Sequence, residues 1–423
     1  MRQPRADVTV PGSKATCLVC GSGDLLSFLD LPRAPVYCNV LFPTAAAARK
    51  VSRGDLTLAI CRRCGHVFNT SFDFRLLDYT DRYENSLHFS PFFRKYAETL
   101  ARELVERHGL RGRRIVEIAC GQGDFLRLLC ELGGNRGAGF DPSYREGSSR
   151  GGVSPTGTVD PAGSDDSPVR FVKAYYGGGD GKVVADFLCC RQALEHVPDP
   201  VGFLTALGET LRGVMAPGPS DHVTTLFFEV PNSLYSLRDG GIWDFIYEHV
   251  SYFCGRSLEE CFKRAGFTVQ RTWESFGGQF LCLETKWPAA GEPAGDLADV
   301  PSPGQLVGYA AGLGETVRSL VDSWRGRLAR LHLQGQRASI WGAGSKGVTF
   351  LNMLNAEDEI SYVVDINPEK HGMFVAGTGH PVISPDRMAQ VPPDLIVCMN
   401  PQYRNEIAGM IAARGLEIPV VTV

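Results

Sequence analysis

Four of the thirteen cysteines stand in two pairs, Cys17-Leu-Val-Cys20 and Cys61-Arg-Arg-Cys64. Two thiolates at this spacing can grip one tetrahedral ion from a tight turn, and a second such turn completes the shell. Gly21 and Gly65 follow the second cysteine of each pair, where a knuckle needs a permissive backbone. Four thiolates leave no open coordination position. Cys17, Cys20, Cys61 and Cys64 are therefore expected to hold a structural zinc and not a catalytic one. A pair of redox dithiols is the rival reading of this spacing. Cys38 and His66 lie nearby and read as a half-buried thiol and a surface imidazole.

A second pattern carries ligand-binding chemistry. Arg114-Ile-Val-Glu117-Ile-Ala119-Cys-Gly121-Gln-Gly123-Asp124 runs from a β-branched strand into a Gly-x-Gly turn and a helix start. The glycines let a ligand approach the backbone, and Asp124 suits the first turn of the helix. Asp141 follows about 20 residues later at the end of the next strand, where a carboxylate can accept both hydroxyls of a ribose. Dinucleotide binding would want a third glycine near position 126, and Leu126 stands there. A third pattern lies near the other end of the chain. Gly342-x-Gly344-x-x-Gly347 follows the strand Ala338–Trp341, and Asp365 comes after the next strand. Alone this is a dinucleotide fingerprint. Lys346 inside the turn argues instead for capturing a phosphate by charge at a helix N-terminus. Asn352, Asn400 and Tyr403 are expected to line the same cleft. An NAD site and a ligand-free scaffold remain the alternatives.

Acid–base chemistry is concentrated in Trp243-Asp-Phe-Ile-Tyr247-Glu248-His249-Val-Ser-Tyr252-Phe253. A histidine can remove a proton near neutral pH, a neighbouring carboxylate can orient it, and a tyrosine hydroxyl can bind an enolate oxygen. His249, Glu248 and Tyr247 are the candidates. The plain alternative is a connector in which a backbone carbonyl satisfies His249. Upstream, Tyr83 and His88 are candidates to cover the pocket. Glu195 and His196 read as capping and packing at the start of a helix.

These residues require elements to carry them. At about 150 residues per domain, 423 residues make two to three domains. Hydrophobic residues at 43% and charged ones at 21% exclude a mostly disordered chain. The net charge of −4 gives no global case for nucleic acid or anionic membranes. No apolar run reaches the roughly 18 residues of a membrane-spanning helix. The start, MRQPRADVTVPGSK, has no apolar core of a secretion signal, so reduced thiols and a cytoplasmic location are expected. Strand-like and helical runs alternate between the cysteine pairs and a linker rich in Ala, Pro and Gly. The expected division is a zinc lobe at 1–75, an α/β domain at 76–287, a linker at 288–304 and a second α/β domain at 305–423. Val317, Leu320, Val321, Trp324, Leu328 and Leu331 form one apolar helical stripe. The low-complexity insert at 145–168 is assigned no chemistry.

The first glycine turn and its acidic partner resemble class I S-adenosylmethionine (SAM)-dependent methyltransferases. Their E-x-G-x-G motif is matched by Glu117, Ala119 and Gly121, with Ala119 in the place of the usual first glycine. The segment Asp186-Phe-Leu-Cys-Cys-Arg-Gln192-Ala193-Leu-Glu195-His196-Val-Pro-Asp-Pro200 matches that family's pattern after the fourth strand, and Gln192 is expected beside the cofactor. Thr268–Glu274 and Gln279–Thr285 match its terminal antiparallel hairpin. Across nearly its whole length the chain resembles the three-part C-methyltransferases of nucleotide-linked deoxy-keto-sugars. Gly342-Ala-Gly344-Ser-Lys346-Gly347-Val-Thr349-Phe-Leu-Asn352 and Pro368-Glu-Lys370-His371-Gly372 carry that likeness. The resemblance implies SAM and zinc as cofactors, and a small-molecule acceptor in place of nucleic acid or membrane. It implies that His249 removes a proton beside a ketone while Tyr247 and Tyr83 steady the enolate. It implies a nucleotide tail held by Gly342, Gly344, Lys346, Gly347, Asn352 and Asp365. Where the sugar enzymes read Tyr-His-Glu-His, this chain reads Tyr247-Glu248-His249, one residue shorter. O- or N-methylation of a hydroxylated natural product, fusion to an NAD-dependent enzyme, and a non-catalytic interaction protein with a vestigial SAM fold are the other functions carried forward.

Overall fold

The computed structural model describes residues 15–77, 86–145, 168–177, 183–214, 223–288 and 300–423. Tyr83, nearly all of the 145–168 insert and most of the 288–304 linker lie outside the described residues.

Three sheets organise the chain. In the N-terminal lobe, β1 (Leu25–Pro35) and β2 (Arg53–Cys61) pair antiparallel from Leu25↔Cys61 to Pro35↔Arg53. β3 (Val67–Asn69) returns against β2. Leu56, Leu58 and Ile60 alternate along β2 and turn one face into the core.

The central sheet is built from β4 (Arg114–Ile118), β5 (Arg136–Phe140), β6 (Val169–Val172), β7 (Phe187–Arg191) and β8 (Thr224–Pro231). The short β9 (Ser251–Tyr252) follows, then β10 (Thr268–Ser275) and β11 (Phe280–Trp287). The order is β6-β5-β4-β7-β8-β11-β10. The first five strands run parallel, and β11 runs antiparallel to both β8 and β10. Val116, Leu188, Phe187 and Phe227 are fully buried, as expected of strands covered on both faces. The terminal hairpin anticipated at 268–285 is β10–β11.

β9 does not join this sheet. It pairs antiparallel with β3 of the N-terminal lobe, Val67 with Tyr252 and Phe68 with Ser251. The loop just before it is thereby tied to the cysteine lobe.

The third sheet, β12 (Ala338–Trp341), β13 (Ile360–Val364), β14 (Val382–Ile383), β15 (Leu395–Cys398) and β16 (Val420–Thr422), is parallel throughout in the order β14-β13-β12-β15-β16. A helix over Pro303–Leu333 leads into it. Ser302 starts that helix with a capping box: its Oγ accepts from Gln305 N–H, and Gln305 Oε1 accepts from Ser302 N–H. The buried stripe begins earlier than the sequence suggested, running Leu306, Ala310, Leu313, Val317, Val321, Trp324, Leu328, while Leu320 and Leu331 pack only partly. Leu306 sits under the second cysteine knuckle; a Cβ on Gly65 would lie 2.3 Å from Leu306 Cδ1. One apolar core thus joins the lobe's Leu56 and Leu58, Trp243 of the middle region, Trp324 and Phe350. Each such side chain removed from water contributes about 1.5–3 kcal/mol. Among the described residues no helix is long and apolar enough to cross a membrane.

Candidate active site

The four cysteines of the two pairs converge. Cys17 Sγ lies 3.6 Å from Cys64 Sγ, and Cys20 Sγ 3.4 Å from Cys61 Sγ. Zinc–sulfur bonds of about 2.3 Å put tetrahedral sulfurs about 3.8 Å apart, so the set fits one zinc with no position left open. Each knuckle closes by a backbone bond from its glycine, Gly21 N–H to Cys17 O and Gly65 N–H to Cys61 O, both 2.9 Å. The two neighbours differ from expectation. His66 is fully buried, packed against Phe68 and Phe253, and burial lowers its pKa to about 3. Cys38 is fully buried as well.

A cavity of about 940 Å³ lies between the central and C-terminal sheets. Glu117, Ala119, Gly121, Asp141 and Gln192 line one side; Gly342, Gly344, Lys346, Gly347 and Asp365 line the other. Such crevices beyond the carboxyl ends of parallel strands are where α/β sheets receive ligands. On the first side, Asp141 Oδ2 accepts from Gly121 N–H at 2.8 Å, and Oδ1 accepts from the N–H and hydroxyl of Ser143 at 2.7 and 2.6 Å. Gly123 stands just behind the cavity. Its φ of +83° and the Phe171 ring, 2.1 Å from where a Cβ would be, admit only glycine. Gln192 is pinned by its N–H to Glu229 O (2.7 Å) and its amide to Glu229 Oε1 (3.1 Å). Glu229 also takes Arg191 at 2.9 Å and the Tyr96 hydroxyl. Glu117 is buried with Oε2 unpartnered, and burial raises its carboxyl to about 8. An orphaned carboxylate oxygen beside an open glycine turn, with Asp124 and Asp141 on the same wall, suits a cofactor carrying ammonium and sulfonium charges and a ribose. These residues fit SAM.

Between the two turns stand Glu195, His196 and His249. Glu195 and His196 lie on a single 3₁₀ turn after β7; His249 precedes β9. Val250 N–H donates to Glu195 O, and Asn69 N–H to Val250 O, both at 3.0 Å, so the lobe and the central domain hold this loop from two sides. His196 Nδ1 donates to Glu248 O at 2.9 Å, which leaves Nε2 as its basic nitrogen. The two imidazoles lie 4.8 Å apart, edge to face. Burial raises the Glu195 carboxyl to about 8 and lowers His196 to about 4. Burial, then His196 and Lys346, hold His249 well below its usual value. The sequence reading that confined Glu195 and His196 to capping and packing is corrected: both face the cavity.

Three other assignments are corrected too. Tyr247 turns away from the cavity. Its hydroxyl accepts from Asp73 N–H at 2.8 Å and donates to Asp73 O, and its ring fills the space beside Gly54 that a side chain would occupy. Glu248 is buried on the lobe side and accepts from Cys38 N–H at 3.0 Å; it does not orient His249 through its carboxylate. Asn352 does not reach the cleft, because its amide donates to Val348 O and Ala376 O. His88, by contrast, lines the cavity.

On the C-terminal side, Asp365 Oδ2 accepts from Ala343 N–H and Oδ1 from Asn367 N–H, both at 2.8 Å. Lys370 Nζ lies 3.4 Å from Asp365 Oδ2 and donates to Ala343 O. Lys346 pairs with Asp244. A Cβ on Gly347 would lie 2.2 Å from Gly342 O, so this glycine lets the helix start against the strand end. Asn400 and Tyr403 line the same cavity as expected. Asn400 and Gln279 exchange amide hydrogen bonds of 2.9 Å in both directions, joining the hairpin of the central sheet to the C-terminal domain. Sequence reasoning missed Lys370 and Asp244. Lys370 lay within the Pro368–Gly372 stretch and Asp244 within the Trp243–Phe253 segment, and neither was singled out there.

Three family profiles match successive parts of the chain. They are described as "Putative zinc binding domain" over residues 17–72, "Methyltransferase domain" over 92–272 and "C-methyltransferase C-terminal domain" over 305–415. The C-methyltransferase NovU of Streptomyces niveus is 26% identical over 415 residues, spanning 92% of this chain and 90% of that protein. Among solved structures, magnesium protoporphyrin IX methyltransferase of Synechocystis PCC 6803 covers 46% of this chain and 83% of its own, at 15% identity and a TM-score of 0.33. The 1,6-didemethyltoxoflavin-N1-methyltransferase of Burkholderia thailandensis covers 52% and 95%, at 15% identity and a TM-score of 0.31. These structural overlaps are too loose to carry an assignment, which rests on the profiles, the relative and the sheet order. With the three profiles following one another along it and a C-methyltransferase aligned over almost its whole length, the chain is a SAM-dependent methyltransferase similar to the C-methyltransferases, with SAM and a structural zinc as its cofactors.

Proposed function

We propose that the acceptor is a nucleotide-linked deoxy-keto-sugar, methylated on a carbon beside its ketone, with His249 as the proton acceptor. The observation that carries this reading is the single cavity in which the SAM-side turn, the imidazoles and the C-terminal turn all stand. Glu117, Gly121, Asp141 and Gln192 hold the cofactor; when bound, SAM supplies an electrophilic methyl group. Gly342, Gly344, Lys346, Gly347 and Asp365 hold the nucleotide tail. Lys346 and Lys370 supply cationic donors for its phosphates, at the start of a helix whose N–H groups favour anions. Binding energy from that remote tail orients the ketone-bearing ring at the methyl group. His249 takes the acidic proton onto a ring nitrogen. The carbanion so formed is the nucleophile, and proximity supplies much of the rate. Tyr247 has no part in this scheme, since its hydroxyl serves Asp73.

Exchange of the acidic substrate proton tests the reading. With S-adenosylhomocysteine in place of SAM, wild type should wash deuterium from solvent into the carbon beside the ketone, and His249→Asn should not. Absence of exchange in wild type, with the acceptor bound, would overturn the enolate route.

A further inference from the structure

We propose that Glu195, His196 and His249 form a second metal site, for one divalent transition ion such as Zn²⁺, Co²⁺ or Ni²⁺, separate from the four cysteines. Three observations carry it. One donor atom from each residue lies within 4.8 Å of the other two. Two donors are orphaned: Glu195 Oε2, on a residue only 2% exposed, and His249 Nδ1. A buried polar atom usually has a partner, and these two unpartnered atoms belong to residues of one cluster, which leaves capacity there for a ligand. The third observation is the outer bond of His196. Its Nδ1–H is fixed on the Glu248 carbonyl, which aims Nε2 into the cluster, and metal-bound histidines are held in this way.

The donor set selects the ion. Two imidazoles and one carboxylate suit borderline divalent ions, and three protein ligands leave positions open to the cavity. The cysteine site differs on both counts, being all-sulfur and closed. An ion drawing its donors to about 2.1 Å would tighten the cluster. The site itself does not depend on the proposed base, but its consequence does. A metal-bound His249 has given its lone pair away, so filling the site removes the proton acceptor and stops transfer. Metal and substrate proton compete for the same nitrogen.

The test uses the full chain with its zinc in place. Wild type is dialysed against a small molar excess of Co²⁺, and zinc and cobalt are counted per chain by mass spectrometry. One zinc and one cobalt are expected, with the weak visible bands of cobalt free of thiolate ligands. Glu195→Gln, which keeps the side-chain shape, and His196→Ala should each keep the zinc and lose the cobalt. No cobalt uptake by wild type overturns the site, as does full uptake by both variants. Methyl transfer should fall in step with cobalt loading and return with chelation of the cobalt. Loading that is lost in both variants yet leaves the wild-type rate untouched upholds the site and overturns His249 as the base, so the two readings fail separately.

Discussion

Two glycine turns face each other across the cavity, and their backbones are built alike. In the central domain the N–H of Gly121 reaches Asp141 Oδ2 at 2.8 Å, 20 residues on; in the C-terminal domain the N–H of Ala343 reaches Asp365 Oδ2 at 2.8 Å, 22 residues on. Two residues past each aspartate, the N–H of Ser143 or Asn367 binds its Oδ1. The charges around these matching frames are opposed. Among the described residues the first turn has Glu117, Asp124 and Asp141 around it and no lysine, with Arg127 donating to Gln122 O; the second has Lys346 within it and Lys370 against its aspartate. One strand–turn–helix unit can therefore be fitted to a cationic cofactor or, as proposed for the second turn, to an anionic tail according to a few side chains. Glycine spacing alone does not say which.

The sharpest way to separate the turns is to disable what lies between them. His249→Asn should lower turnover by about 10²–10⁴-fold, the usual cost of losing a general base, while S-adenosylhomocysteine and a nucleoside diphosphate still bind. Rapid-quench turnover and calorimetry on one preparation check both halves; near-wild-type turnover would move the base elsewhere. Asp141→Ala comes next. It should weaken S-adenosylhomocysteine binding by about 1–3 kcal/mol and leave the nucleotide alone. Equal losses of both ligands would mean the two sides are one site. Lys346→Ala should do the reverse, costing the nucleotide about 1–2 kcal/mol with the cofactor unaffected. Its effect is smaller because Asp244 already engages the ammonium. A titration in which NAD(H) binds wild type tightly and the nucleoside diphosphate does not would overturn the anion reading of this turn. The smallest effect belongs to Ala119, held at a φ of +54° where the related motif has glycine. Ala119→Gly relieves a left-handed alanine but frees the unfolded chain, so thermal unfolding should show a change within about 1 kcal/mol.

Much of this was legible because local patterns set it. The knuckles, the strand–Gly-x-Gly–helix unit and the aspartate ending the next strand are each fixed by neighbours close in sequence. The terminal hairpin and the helical stripe were legible for the same reason. The loop from 243 to 253 was not, because it has no periodicity from which to read a face. Which of Tyr247, Glu248 and His249 meets the cavity is decided by the pairing of β9 with β3, a partner far back in the chain. That pairing turns Tyr247 toward Asp73 and Glu248 toward Cys38 and leaves His249 inside. Glu195 and His196 were undervalued for a related reason. Their role follows from the imidazole that the same loop brings beside them, and nothing within the Glu195–Pro200 stretch announces it.

The excursion of β9 also orders events during synthesis. Domains commonly fold from the N-terminus as they are made. Here the first sheet lacks its fourth strand until Ser251 and Tyr252 exist, and its knuckle lacks the Leu306 side chain it rests on until the long helix begins. The cysteines can capture zinc early, but the lobe around them keeps an open edge while the whole nucleotide-fold sheet up to β8 is being built. Closing so distant a contact is slow, and an open strand edge is a place where chains pair wrongly. An early zinc would then serve as a clamp on an unfinished lobe, holding β2 and β3 in register until the loop carrying the histidine arrives to complete it.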